Sequence, residues 1–183
     1  MDDKKMKRIT IIGNSAAGKS TLGVMLGKEL GLPVYHLDKL LWKPGWKRTP
    51  EEEFVRKHQE IIDKDQWVLD GVAYKSTYED RFERAEIIIY LDTSVEKCKE
   101  RAQKRMDEEK IRPNPYVNEN CPYEGDIEDN FKVIRLFHNE YRPLILKLLE
   151  KHEKKSIILP DFNVKDENDL TDIISKIKEK SNS

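Results

Sequence analysis

The stretch that most constrains this chain is Gly13-Asn14-Ser15-Ala16-Ala17-Gly18-Lys19-Ser20-Thr21, which fits G-x-x-x-x-G-K-[ST]. Its surroundings give it meaning. Arg8-Ile9-Thr10-Ile11-Ile12 before it is β-branched and apolar, and predicts a buried strand. Leu22, Met25, Leu26 and Leu30 after it share one helix face, and the pattern stops at Gly31. Strand, glycine-rich turn and helix together make a phosphate site, because backbone N–H groups converge at a helix N-terminus that carries partial positive charge. In such a loop Lys19 reaches the β- and γ-phosphates, and the Ser20 hydroxyl ligates Mg²⁺. The whole run from Gly13 to Thr21 is therefore the expected nucleoside triphosphate site.

The rest of the chain alternates strands and helices. Val34 to Leu37, Trp67 to Leu69, Ile87 to Leu91 and Ser156 to Leu159 read as further strands, giving five in all. Helices are expected after Thr49-Pro50-Glu51-Glu52 and after Thr93-x-x-Glu96, both read as capping signals. Others are expected over 76 to 84, over a long segment interrupted at Pro143, and over 166 to 180. This is an α/β pattern, a parallel sheet with helices on both faces. Periodicity is lost between about Asp107 and Asp129, a stretch too long for an ordinary connection, so a lid inserted into one domain is expected there.

Charge and composition narrow the partners. With 183 residues the chain suffices for one such domain, and 34 basic against 35 acidic side chains leave a net charge of −1. No basic run supports a broad nucleic-acid or membrane surface. Cys98 and Cys121 are too few for a disulfide framework, and without a C-x-x-C pair no zinc-stapled lid is expected. The absence of an apolar signal core or a transmembrane-length stretch leads to the expectation of a soluble, cytoplasmic protein.

A phosphate loop alone does not separate kinases from other nucleotide proteins. The chain has no Asn-Lys-x-Asp for guanine, no D-x-x-G switch behind a strand, and no room for the extra subdomains of larger ATPases. It does have strand-end aspartates, where ligands of open parallel sheets bind. Asp70 closes Trp67-Val68-Leu69 and can hold Mg²⁺ through water or merely cap a turn. Asp38 can orient or deprotonate an acceptor hydroxyl, or cap the helix before Leu40-Leu41. Asp92 reads as a cap. Arg101 and Arg105 are neighbours on one helix face on one side of the irregular stretch, with Arg135, His138 and Arg142 on the other. Guanidinium groups bracketing a lid suit phosphoryl transfer, where charge builds on the transferring oxygens. His36, His58 and His152 read as packing or surface residues.

The phosphate loop, His36-Leu37-Asp38 with Trp42 and Trp46, Trp67-Val68-Leu69-Asp70-Gly71, Arg81-Phe82-Glu83-Arg84-Ala85, and Arg101 with Arg105 resemble the topology-modulation (FlaR-like) proteins, relatives of adenylate kinase. The resemblance spans about residues 7 to 160 and implies a P-loop kinase fold, with a parallel sheet in the order 2-3-1-4-5. It also implies ATP as donor, a closing lid, Gly13 to Thr21 as the ATP loop, and Arg101 and Arg105 as lid-base arginines. Adenylate kinases continue the strand here ending in Asp70-Gly71 with Phe-Pro-Arg, and that arginine grips the acceptor phosphate. This chain has Val72-Ala73-Tyr74 instead, and similar kinases for hydroxyl compounds keep an aspartate where Asp38 stands. The expected function is ATP- and Mg²⁺-dependent transfer of a phosphoryl group to a small acceptor, a nucleoside or hydroxylated metabolite ahead of a nucleoside monophosphate. In the nucleotide alternative Arg56, Arg81 or Arg84 would hold the acceptor phosphate. An ATP-binding regulator with little turnover, linked to DNA topology by the family name alone, is the alternative of another class.

Overall fold

The computed structural model describes residues 7–109, 114–118, 121, 126–162 and 167–181. The first strand, β1 (Arg8–Gly13), runs into the glycine-rich loop and then α1 (Lys19–Leu30), which ends at Gly31 in the left-handed conformation, as the pattern predicts. Next come β2 (Val34–His36), a short α2 (Leu37–Leu41), and a two-stranded hairpin of β3 (Trp42–Lys43) and β4 (Lys47–Arg48). Then follow α3 (Glu51–Ile62), β5 (Trp67–Asp70), α4 (Tyr78–Arg84), β6 (Ile87–Asp92) and α5 (Val95–Glu109). The chain closes with α6 (Ile127–Leu136), α7 (Arg142–Lys151), β7 (Ser156–Pro160) and α8 (Glu167–Ser181).

Five strands pair in parallel in the order β2-β5-β1-β6-β7, which is 2-3-1-4-5 when only this sheet is counted. Alternation along the strands divides the core between two faces. Trp67, Leu69, Ile88 and Tyr90 pack with Phe54, Phe82 and Ile145 on one side. Val68, Ile87, Ile89 and Ile11 pack with Leu22, Leu26 and Cys98 on the other. The result is a three-layer α/β sandwich, in which the carboxyl ends of β1, β2 and β5 all open on one edge. No described helix is long and apolar enough to cross a membrane.

Three local expectations change. Thr49 does not cap α3: Pro50 holds that place, while Thr49 is buried, its N–H on Leu41 O and its hydroxyl on Leu40 O. Thr93 does not close a capping box either. Its buried hydroxyl has no partner among the described residues, and the Asp161 carboxylate takes the Ser94 N–H instead. Asp92 is likewise no cap, since it accepts two hydrogen bonds from Arg142, each 2.8 Å long. Pro143 does split the long helix. A π-helical turn over Phe137–Tyr141 separates α6 from α7, which starts one residue before the proline. The expected lid over 107 to 129 falls partly outside the described residues; α5 extends into it as far as Glu109, and α6 begins at Ile127.

Candidate active site

The phosphate loop is held open by backbone conformation. Gly18 has φ +99 and Ala16 φ +57, so two left-handed residues turn the chain before α1. Gly13 serves differently, because a Cβ there would lie 2.8 Å from Leu91 O; β1 could not approach β6 at that point with a larger residue. Asn14 is almost fully buried and ties the loop at both ends. Its Oδ1 accepts from Ser15 N at 2.7 Å and its Nδ2 donates to Ile134 O of α6 at 3.0 Å. Lys19 Nζ folds back to Asn14 O at 2.7 Å. Thr21, within the motif, is exposed on α1.

Carboxylates gather around this lysine. Ser20 Oγ donates to Asp70 Oδ1 at 3.4 Å, so the two oxygen donors expected at Mg²⁺ face each other across the sheet edge. Asp38 lies in the first turn of α2, half-buried, and does not cap that helix: His36 is at the N-cap position. Burial raises the Asp38 carboxyl above its ordinary value, against the opposing pull of Lys19, and Asp70 raises it further. Burial likewise lowers the Lys19 ammonium, with Asp38 and Asp70 pulling it back up and Arg105 pushing it down. Lys19, Asp38, Asp70 and Arg105 therefore act on one another as a single cluster of charge.

His36 belongs to the same cluster, although its sequence context had suggested packing or surface. Its Nδ1 donates to Asp70 Oδ2 at 2.7 Å, and Tyr116 lies against its ring at 4.9 Å. Its sequence signal is a place near the end of a strand; the fold sets it level with Asp70, its partner in the β2–β5 register. The other two histidines do pack. His58 is buried against Phe54, and burial, aided by Arg81, lowers its imidazole to about 3; His152 meets the Phe82 ring edge-on.

The arginines divide. Arg101 reaches the loop itself, donating from Nη1 to Ala17 O at 3.2 Å and from Nη2 to Phe162 O at 3.0 Å. Arg105 stands one turn further along the same helix face. On the other side of the irregular stretch, Arg142 is taken by Asp92 and Arg135 by Glu128. Of those offered for an acceptor phosphate, Arg56 pairs with Glu60, and Arg84 donates to the Ile62 and Asp63 carbonyls. Arg81 is fully buried and donates to Gly71 O. The described part of the irregular stretch joins α2 and the hairpin: Asn118 Nδ2 donates to Lys39 O and Trp42 O, and Cys121 Sγ to Lys43 O.

Known proteins resemble this chain in sequence and fold. Shikimate kinases of Legionella pneumophila, strains Corby and Lens, are 32% identical over 114 residues, covering 55% of this chain and 65% of theirs. The chain thus spans just under two thirds of the length of these relatives. The fold is that of the shikimate kinase of Acinetobacter baumannii solved with shikimate, with TM-score 0.61 and 21% identity over 95% of this chain and 93% of that one. The shikimate kinase of Bacteroides thetaiotaomicron superposes with TM-score 0.52 and 18% identity over 95% and 97% of the two chains. Residues 9–125, from the first strand through the phosphate loop, Asp38 and Asp70 to the irregular stretch, match a single family, and the chain belongs to it: the AAA domain family of phosphate-loop proteins.

Proposed function

We propose that the protein is a kinase that takes the γ-phosphoryl group of ATP and moves it to a hydroxyl of a small acceptor. The observation that carries this reading is Asp38, half-buried and within electrostatic reach of Lys19 at the strand ends, with its carboxyl raised by burial. A carboxylate so placed is a base for an acceptor hydroxyl, and a raised value strengthens it as a base. The acceptor oxygen bonds to the γ-phosphorus as the bond to the β–γ bridging oxygen breaks; the hydroxyl proton passes to Asp38 and ADP leaves. Lys19 and the loop amides from Gly13 to Thr21 hold the β- and γ-phosphates, and Arg101 and Arg105 meet the charge that builds on the transferring oxygens. Ser20 and Asp70 fit Mg²⁺, being hard oxygen donors that already face each other; the ion would neutralise the β- and γ-phosphate oxygens.

The stretch from about 107 to 129 acts as a lid in this reading. Hydrogen exchange there should slow when both substrates are bound, because closure excludes water. Within the phosphate-loop kinases we place the chain beside the topology-modulation group, on His36-Leu37-Asp38 with Trp42 and Trp46. The names of the relatives support a hydroxylated acceptor, as does the use of Arg56, Arg81 and Arg84 elsewhere in the fold. A coupled assay of ADP release over nucleosides, shikimate and other hydroxylated metabolites tests it. Steady turnover with one acceptor is expected; ATP binding without acceptor-stimulated ADP release would leave a regulator in place of an enzyme.

A further inference from the structure

At the exit of β5 two cations rest on aromatic faces with no described carboxylate to neutralise them. The Arg48 guanidinium lies 4.5 Å from the centre of the Tyr74 ring, and Lys75 Nζ lies 4.3 Å from that of Tyr141. Both residues are exposed, and neither forms an ion pair among the described residues. Their neighbours differ in this: Lys43 and Lys57 share Glu53, both at 2.7 Å, and Lys151 holds Glu79 at 2.8 Å.

The platform under Arg48 is fixed. Tyr74 donates its hydroxyl to Thr49 O at 2.6 Å and packs edge-on against Phe54 at 5.3 Å. Thr49 is in turn bound to Leu40 and Leu41 of α2, the helix that carries Asp38. Arg48 pairs directly across the hairpin with Trp42, and residues directly opposite in an antiparallel pair leave the same face. Trp42 packs against the core, and Arg48 shares its face of the hairpin, opposite to that of Lys43 and Lys47.

A guanidinium stacked on a ring keeps its N–H edge free, and that edge fits the paired oxygens of a carboxylate or a phosphate. We propose that the acceptor carries an anionic oxygen group besides its reacting hydroxyl, and that Arg48, with Lys75 beside it, binds that group. The inference rests on the kinase reading for the identity of the site, but anion binding there is measurable without turnover.

The test is saturable tryptophan fluorescence, since Trp42 lies opposite Arg48, with ADP kept saturating so that the phosphate loop is filled and no phosphoryl group can move. The probes are shikimate for a carboxylate, AMP for a phosphate and adenosine as the uncharged control. One anion should bind. Arg48→Ala should weaken it roughly tenfold or more, the scale of a lost charge-assisted hydrogen bond, and Arg48→Lys should restore part of the affinity. ATP affinity should be the same in all three proteins. Equal affinity of wild type and Arg48→Ala for whichever anion binds, adenosine binding as tightly as both anions, or no saturable response to either anion overturns the proposal. Arg48-dependent binding without ADP release for any acceptor leaves the anion site standing and removes the kinase reading alone.

Discussion

In the proposed kinase site the nucleotide side and the acceptor side are built in opposite ways. On the nucleotide side, the expected ligands are backbone N–H groups of one continuous loop, with the flanking strand and helix supplying its shape. Few long-range bonds are added: Asn14 to Ile134, Ser20 to Asp70, and Arg101 to Ala17 and Phe162. The acceptor side draws on three separate segments: Asp38, Trp42 and Arg48 share one, while Tyr74 and Tyr116 come from two others. They are fastened by side chains donating to backbone carbonyls, at Thr49, Tyr74 and Asn118. A site made of backbone is stable to most side-chain replacement and recognises a constant group, phosphate. One made of separate side chains is free to change its ligand without disturbing the fold.

Four substitutions would break or sharpen that contrast, taken from the largest effect to the smallest. Lys19→Ala removes the motif's own charged side chain from the nucleotide side. Turnover should fall by about 10²–10³-fold, with a smaller loss of ATP affinity, because the charge binds hardest as the phosphoryl loosens. Steady-state kinetics beside nucleotide titration checks this; unchanged turnover would show the loop not to be catalytic. Asp38→Asn should cut turnover by about 10²-fold while ATP affinity holds. The pH dependence has a definite sign. The ionised carboxylate is the active form, so wild-type turnover should fall as pH drops through the Asp38 value, which burial places above the ordinary carboxyl range. That acid limb should vanish in the variant; a limb that survives belongs to another group.

His36→Ala would leave Asp70 without its 2.7 Å partner. Loss of a group that orients a metal ligand costs roughly 10-fold or more in metal affinity or activity, so the Mg²⁺ dependence of turnover should move to higher concentration. An unmoved Mg²⁺ curve would detach His36 from the site. Arg142→Ala should act on stability alone, by about 1–2 kcal/mol for a part-exposed charged hydrogen-bond pair. The Arg142 hydrogen bonds hold the Asp92 carboxyl below its ordinary value, so their contribution is present above the unfolded value of 3.8 and is lost as pH falls through the lower folded one. Denaturant melts of the two proteins should therefore converge in strong acid and differ at neutral pH. A turnover defect in Arg142→Ala at full stability would return this arginine to the active site.

How far the sequence could be read follows the same division. The α/β class, the five strands and the phosphate loop were legible because each depends on residues adjacent in the chain or one helical turn apart. The placement of Arg101 beside Arg105 was legible for the same reason, since helix geometry is local. The capping expectations at Thr49 and Thr93 failed for a shared reason. A threonine before a helix is equally able to bond elsewhere, and tertiary packing buried both hydroxyls, one against α2 and one with no partner among the described residues. Arg142 and Asp92 failed together: each was plausible alone, and nothing in the sequence marks two residues fifty positions apart as one ion pair.

What the sequence by itself determined is the phosphate-binding half, because a G-x-x-x-x-G-K-S loop needs only its own backbone torsions and the strand and helix beside it. What only the tertiary structure decided is the other half. The chain has to fold before β2 and β5 pair and bring His36 level with Asp70, and before the hairpin lays Arg48 over Tyr74. The physical reason lies in the range of the interactions. Backbone curvature is set by near neighbours, whereas charge and ring contacts act through space between residues the chain order keeps apart.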